Sequence, residues 1–426
     1  MHHLSPLLFC PLRSLWHQPG MQTALTDLIR NTPQGREADR ILRTCVHCGF
    51  CTATCPTYQL LGDELDGPRG RIYQIKQLLE GTPPTAVMRN HLDRCLVCRA
   101  CETTCPSGVN YHRLLDIGRE ILEEQLPRPP AQRIQRSLMR WLFGHTRRFA
   151  PVLGLARGVC PLLPASLRRK VLPRPPPLPV TPTNTERRML RLEGCVQPAL
   201  SPDIDQALHL LGHFGIAIET APQATCCGAL PQHLDAPEQA RTLARRNIDA
   251  WLPLLEDGVE ALLATASGCG AHLHDYPALL AEDPVYAERA RQLEERLRDP
   301  IQILEQEDLS RLPLRPNPQR IAVHTPCTLQ HGLHMNGRIE ILLESLGYRL
   351  VPVTESHLCC GSAGTYALTQ PELSQRLRER KRTALTMEHP DLIVTANIGC
   401  LSHLHDEQGP PILHWLVLLA RDLETV

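Results

Sequence analysis

One cysteine spacing occurs twice, 50 residues apart: Cys45, Cys48, Cys51 and Cys55 are matched by Cys95, Cys98, Cys101 and Cys105. Each run closes on a proline, Pro56 and Pro106. Between the runs, the stretch GPRGRIYQIKQLLEG places Ile72, Ile75, Leu78 and Leu79 at helical spacing and ends on Gly81. That pattern predicts an amphipathic helix stopped by its glycine. Residues 21–126 therefore read as one duplicated, mostly helical unit organised around eight thiols.

A second duplication fills the C-terminal part. Cys195, the Cys226-Cys227-Gly228 triplet and Cys269 are matched by Cys327, Cys359-Cys360-Gly361 and Cys400. The tails agree as well, GCGAHLHD at Cys269 and GCLSHLHD at Cys400. Strand-like runs (IAVH, LVPV, DLIVTANIG) alternate with helical stretches such as GRIEILLESLG and ELSQRLRERKRTAL. Alternation of this kind predicts a parallel sheet with helices on its faces. The cysteines then fall at or beyond the carboxyl ends of the strands, where such sheets hold ligands. The fold class expected is α+β and multidomain: a mostly helical first domain, then a duplicated α/β cysteine-rich domain with parallel sheets.

Composition narrows the chemistry. A chain of 426 residues is long for a disulfide-stapled scaffold, so its 18 cysteines point to metal-bound thiolates in a reducing compartment. The opening stretch, MHHLSPLLFCPLRSLWHQPG, is broken by three prolines and has no continuous apolar segment of the secretory kind. Residues 1–20 read as a disordered N-terminal extension and receive no role. No run approaches the roughly 20 apolar residues of a membrane-spanning helix. Net charge is zero, which gives no reason to expect nucleic acid. Cys10 and Cys160 lie outside both repeats and are assigned no function.

The run C-x2-C-x2-C-x3-C-P is that of bacterial ferredoxins, in which the fourth cysteine of each run serves the other cluster. Cys45, Cys48, Cys51 and Cys105 are thus assigned to one [4Fe-4S] cluster, and Cys95, Cys98, Cys101 and Cys55 to a second. Zinc is the bland alternative, but it needs only four ligands per site and leaves the third close cysteine of each run unexplained.

Adjacent cysteines followed by glycine, with partners about 30 residues before and 40 after, have no ordinary structural reading. The glycine lets backbone approach a bound group. The pattern resembles the cysteine-rich (CCG) domain of the heterodisulfide reductase family, some members of which hold non-cubane iron–sulfur clusters there. The family motif ends in C-x2-C, whereas here His272 follows Cys269 and His403 follows Cys400. Both histidines are candidate ligands, or surface histidines left where a cysteine was lost. The two sets are Cys195, Cys226, Cys227, Cys269 with His272, and Cys327, Cys359, Cys360, Cys400 with His403. Each is read as an additional cluster or redox site, with a non-cubane cluster, a cubane, a disulfide and a quinone-proximal thiol all left open.

Residues 127–185 form a basic Pro/Arg-rich linker: no acidic residue, 11 Arg or Lys, and apolar side chains interleaved among them. An amphipathic basic helix on an anionic membrane surface is one reading, a docking surface for an acidic subunit another, and a solvated spacer the third.

Taken in order, CVHCGFCTATCPTYQLLGDELDGPRGRIYQIKQLLEG, HLDRCLVCRACETTCPSGVNY, SGCGAHLHDY and CCGSAGTYAL resemble the glycolate oxidase (glycolate dehydrogenase) iron–sulfur subunit family over residues 21–426. The resemblance implies an electron-transfer subunit. FAD-containing partner subunits would oxidise glycolate to glyoxylate, and electrons would pass on towards membrane quinone from a protein peripheral to the cytoplasmic face of the inner membrane. No G-x-G-x-x-G or Walker-type loop argues for a substrate site on this chain itself. Two rivals carry the same modules: the iron–sulfur subunit of a glycerol-3-phosphate, lactate or hydroxyglutarate system, and a reductase whose CCG domain binds thiol substrates directly. The domains expected are 1–20 extension, 21–126 two-cluster domain, 127–185 linker, 186–315 first CCG repeat and 316–426 second.

Overall fold

The computed structural model describes residues 20–162, 172–178 and 186–424. The extension at 1–19, with Cys10, lies outside the described residues, as does most of the proline-rich spacer.

The three longest helices frame the first unit. Pro33–Thr44 and Pro68–Leu79 each open on a proline, whose missing N–H costs nothing in the first turn. Tyr111–Gln125 is capped by the Asn110 side chain. Their apolar faces meet in one core holding Leu42, Ile75, Leu79, Leu114 and Ile117. The last two helices cross closely because Gly118 lies against Ile75: a Cβ there would stand 2.7 Å from Ile75 Cγ1. Gly81, which closes the interrun helix as the sequence predicts, has φ +93°.

The cysteine runs lie at the end of this bundle and share one backbone trace. His47 and Gly49 have positive φ, and so do Val97 and Arg99, their counterparts 50 residues on. Three of the four are not glycine, so each loop is held in a conformation that costs about 1–2 kcal/mol per residue. The surrounding contacts sustain that strain, and turns of this kind aim backbone N–H groups at an anion.

The C-terminal duplication is plain in three dimensions. Strands β1 (Arg187–Arg191), β2 (Ile216–Glu219), β3 (Leu262–Leu263) and β4 (Leu297–Arg298) form an all-parallel sheet in the order β2-β1-β3-β4. Strands β5 (Arg320–His324), β6 (Arg349–Val351), β7 (Leu392–Thr395) and β8 (Ile412–His414) repeat it as β6-β5-β7-β8. Helix Pro237–Glu256 covers the first sheet through Ile248, Trp251 and Leu255. The other face joins the second repeat in a single apolar core, Met189 and Leu263 with Val323, Ile393 and Trp415. The carboxyl ends of β3 and β7 meet across that contact, where Ser267 N donates to Ala396 O at 3.1 Å.

The basic segment forms two helices, Pro130–Phe143 and Thr146–Gly158. Several of its cations turn inward. Arg128 holds Asp93 of the first unit and Asp235 of the first repeat at 2.6–2.7 Å, and Arg136 joins Asp235 at 2.7 Å. Outward from Pro130–Phe143 stand Ile134, Leu138 and Trp141, each more than half exposed. Among the described residues no helix is long and apolar enough to cross a membrane.

Candidate iron–sulfur centres

Two recesses open among the eight N-terminal thiols. Cys45, Cys48, Cys51 and Cys105 line the first, Cys55, Cys95 and Cys98 line the second, and Cys101 lines both. The proposed ligand sets are therefore brought together, each with a fourth cysteine from the other run.

Donor spacing tests what these recesses fit. A tetrahedral zinc site with bonds of about 2.3 Å holds its sulfurs about 3.8 Å apart. Among the described residues, neither N-terminal set brings three sulfurs within 4.8 Å of one another. A single ion would leave thiols unreached, whereas a larger body of several metal atoms spans the hollow. Burial and the neighbouring thiols push Cys51 up to about 12, and burial raises Cys98 and Cys101 well above the ordinary thiol value. Cationic metal must replace those protons for the thiols to act as ligands.

Backbone donors serve the sulfurs. Val97 N lies 3.5 Å from Cys95 Sγ and Val109 N 3.5 Å from Cys105 Sγ. Arg71, 1% exposed, lines the second recess and is held by His91 O at 2.7 Å, by Thr57 Oγ1 and by Asp66. Asp66 also takes Arg94 at 2.8 Å. A fixed cation thus stands beside a site that collects negative charge.

The recesses differ in exposure. Cys48 is exposed, while Cys55, Cys98 and Cys101 are buried. What covers Cys98 is the second CCG repeat: Leu96, Cys98 and Ala100 share an apolar cluster with Cys359, Tyr366, Leu373 and Leu377, with Cys327 packed on its edge. Tyr366 donates its hydroxyl hydrogen to Arg94 O at 3.0 Å across the same boundary. The first repeat meets the N-terminal unit through charge instead. Asp275 pairs with Arg99 and lies 3.4 Å from His112 Nε2, and Gln232 donates to Asp116 at 3.0 Å.

In the second repeat, Cys327 Sγ lies 3.8 Å from Cys359 Sγ and Cys360 Sγ 3.4 Å from Cys400 Sγ. Sequence reasoning missed His324, whose ring nitrogen stands with the Cys360 and Cys400 sulfurs inside 4.8 Å, all three residues being buried. Its signal was a polar residue closing the apolar run Ile321–Val323, three positions before Cys327. Burial pushes His324 down to about 3, which keeps the ring neutral. Nδ1 lies 2.9 Å from Thr395 Oγ1, a contact that fixes the orientation of the ring.

The glycine of each triplet has a different use from the expected one. A Cβ on Gly361 would stand 2.7 Å from Ser374 O, and its φ is +89°. It admits the helix Pro371–Thr386, whose backbone packs against the triplet. Gly228 likewise faces Ala240 O and His272 Nε2.

In the first repeat, Cys226 and Cys227 are buried in one apolar cluster, with Cys195 and Cys269 packed against it. His272 is buried beside them, and its Nε2 has no hydrogen-bond partner among the described residues. His403, its counterpart, lies with Nε2 3.3 Å from Ser374 Oγ. Cys160 opens a short 3-10 turn, Cys160–Leu162.

Comparisons with known proteins agree with these features. A family model described as a 4Fe-4S dicluster domain matches residues 41–109, and one described as a cysteine-rich domain matches residues 190–274 and 321–405. The glycolate oxidase iron-sulfur subunit of Escherichia coli K12 is 50% identical, over 95% of this chain and 100% of that one. A probable glycolate oxidase iron-sulfur subunit of Bacillus subtilis 168 is 33% identical, over 88% and 90%. A hypothetical protein from Helicobacter pylori, solved by crystallography, covers 92% of this chain and 73% of its own at TM-score 0.54; at 11% identity it shows a shared fold alone. Doubled cysteine loops, paired parallel sheets and relatives matched nearly end to end converge on one assignment: this chain is an iron–sulfur protein and belongs to the family of glycolate oxidase iron–sulfur subunits.

Proposed function

We propose that this chain relays single electrons from an FAD-containing partner subunit, which oxidises glycolate to glyoxylate, towards quinone at the cytoplasmic face of the membrane. Cys45, Cys48, Cys51 and Cys105 would hold one [4Fe-4S] cluster, and Cys95, Cys98, Cys101 and Cys55 a second. The observation that carries this reading is the pair of thiol-lined recesses whose sulfurs stand too far apart for a single ion.

When bound, such clusters accept and release one electron at a time. The chain supplies the rest. Cys48 brings the first site to the surface, where a flavoprotein can approach. The apolar cover over Cys98 excludes water, and the amides of Val97 and Val109 donate to sulfur and so ease the gain of negative charge. Arg71 adds a fixed positive charge at the second site.

Contact with the membrane would run through the outward stripe Ile134, Leu138 and Trp141, with Arg133 and Arg147 exposed beside it. Apolar side chains flanked by cations, on a segment free of acidic residues, match an anionic lipid surface.

The test is metal and acid-labile sulfide analysis of anaerobically purified chain, followed by reduction in the presence of the co-purified flavoprotein. At least about eight irons and eight sulfides, with bleaching on addition of glycolate, are expected for two four-iron clusters. Zinc in place of iron, or reduction by glycerol 3-phosphate and not by glycolate, would overturn the reading.

A further inference from the structure

The two N-terminal cysteine loops share a backbone but not a cover. Leu96, Cys98 and Ala100 of the second loop correspond to Val46, Cys48 and Phe50 of the first. Each loop passes through a left-handed residue, Arg99 or Gly49, into a one-turn helix, Ala100–Thr103 or Phe50–Ala53. The second loop is roofed by Tyr366, Leu373 and Leu377 of the second CCG repeat, which bury Leu96, Cys98 and Ala100. Its Arg99 is taken by Asp275 of the first repeat. The first loop has no such roof among the described residues. Cys48 is exposed, and Phe50, where the second loop has a buried alanine, is 61% exposed.

Phe50 has apolar company. Leu65 and Tyr73 are exposed as well, and both flank Arg69, whose guanidinium lies against the loop. A Cβ on Gly49 would stand 3.1 Å from Arg69 Nη1, and Arg69 Nε donates to Glu64, the neighbour of Leu65, at 2.6 Å. Tyr73 follows Arg69 by one turn of the helix Pro68–Leu79, on the same face. Arg69 and Gly49 also line the recess of Cys45, Cys48, Cys51 and Cys105, so the exposed apolar side chains stand beside its mouth. The cations here are matched within the chain, Arg69 by Glu64 and Lys76 by Glu80 at 2.6 Å each. Apolar contact, rather than charge, is what this face offers a partner.

We propose that the face formed by Phe50, Leu65 and Tyr73 is where the FAD-containing subunit docks, roofing the first loop as the second CCG repeat roofs the second and seating Phe50 in an apolar hollow. The proposal rests on the electron relay put forward above and adds the place of the donor. Among the described cysteines Cys48 alone is exposed, so whatever covers this face meets the open end of the thiol sites. A second copy of this chain would set two identical acceptors against each other and shut both off from a donor. Each transfer moves one electron from the partner's reduced flavin to the site at Cys48. The flavin's protons leave to solvent, and no bond on this chain forms or breaks.

The experiment measures binding of the full chain, purified anaerobically, to the FAD-containing subunit that oxidises glycolate, with electron paramagnetic resonance of the chain alongside. Phe50→Asp and Tyr73→Asp are each expected to weaken binding at least about tenfold, the effect of losing a central aromatic anchor. Both variants should keep their iron and their N-terminal signals and still be reduced by dithionite. In the wild-type complex, hydrogen exchange should slow in segments 46–53 and 64–73. Binding unchanged in both variants overturns the proposal, as does protection on binding that spares both segments. So does a wild-type chain that sediments as a dimer and is split by Phe50→Asp, since the occupant is then a second copy. Should Phe50→Asp lose iron, Tyr73→Asp and the exchange pattern of the wild-type complex decide the matter. Wild-type chain without N-terminal signals, or with signals that the glycolate-reduced flavoprotein leaves unchanged, would instead refute the relay itself, and the docking proposal with it.

Discussion

Replacing His112 by Gln should loosen the contact between the N-terminal unit and the first CCG repeat, and the loss should depend on pH in a calculable way. His112 stands with Nδ1 3.1 Å from Glu102 Oε1 and Nε2 3.4 Å from Asp275 Oδ1, with Arg99 on the far side of Asp275. Burial alone would favour the neutral ring, but hydrogen bonds to Asp275 and Glu102 outweigh it and lift the pKa from 6.5 to about 9. At about 1.36 kcal/mol for each tenfold, those 2.5 decades amount to about 3.4 kcal/mol. The side chain is 13% exposed, so solvent screening takes little of this away. The folded value is the higher one, so the stabilisation is fully present below pH 6.5 and is lost as pH rises through 9. Linkage gives about 3 kcal/mol at pH 6.5, about 2 at pH 7.5 and about 0.4 at pH 9. Asp275 is held far below the carboxylate range and stays charged throughout. Hydrogen exchange of segments 99–116 and 270–278, compared between wild type and variant at each pH, reads the difference directly. A gap in protection that stays the same from pH 6.5 to 9 would refute the account.

Three other perturbations follow from described contacts. Arg128→Met leaves the largely enclosed Asp93 and Asp235 without the cation between them and should cost about 3–5 kcal/mol in denaturant unfolding; a loss under 1 kcal/mol would show that Arg136 alone suffices. Gly361→Ala combines a left-handed φ with a clash at Ser374 O and should cost about 2–5 kcal/mol, read as a fall in thermal midpoint. Leu138→Asp removes one large side chain from the exposed stripe, worth about 1.5–3 kcal/mol on burial. Partitioning onto vesicles rich in anionic lipid should fall at least about tenfold, and unchanged partitioning would point to a protein partner for that stripe.

Much of the fold was legible because its signals are local. Thiol spacing within a run is set by a few consecutive dihedrals, so a repeat 50 residues away implied the repeated loop seen at His47–Gly49 and Val97–Arg99. Strands β5 and β7 were readable in the runs IAVH and DLIVTANIG because central parallel strands are apolar on both faces. What stayed hidden depends on distant partners. His324 gains significance only when β5 and β7 bring it to Cys400, 76 positions on. Arg128 and Arg136 belong to a segment whose composition speaks of an outward basic face, yet Asp93 and Asp235 draw them inward. Gly361 was read as making room for a bound group, when the helix beginning at Pro371 occupies that space.

The ties between the N-terminal unit and both repeats bear on the speed of the proposed relay. Arg128 joins Asp93 to Asp235, Asp275 engages Arg99 and His112, Gln232 reaches Asp116 and Tyr366 reaches Arg94, so at least four separate struts cross this boundary. Bodies fastened at several points cannot swing apart between turnovers. Transfer inside the chain should then be insensitive to solvent viscosity and to added glycerol or sucrose, while the encounter with a separate donor slows in proportion. On the proposed relay, any lag that viscosity imposes on turnover belongs to docking of the donor at the Cys48 side.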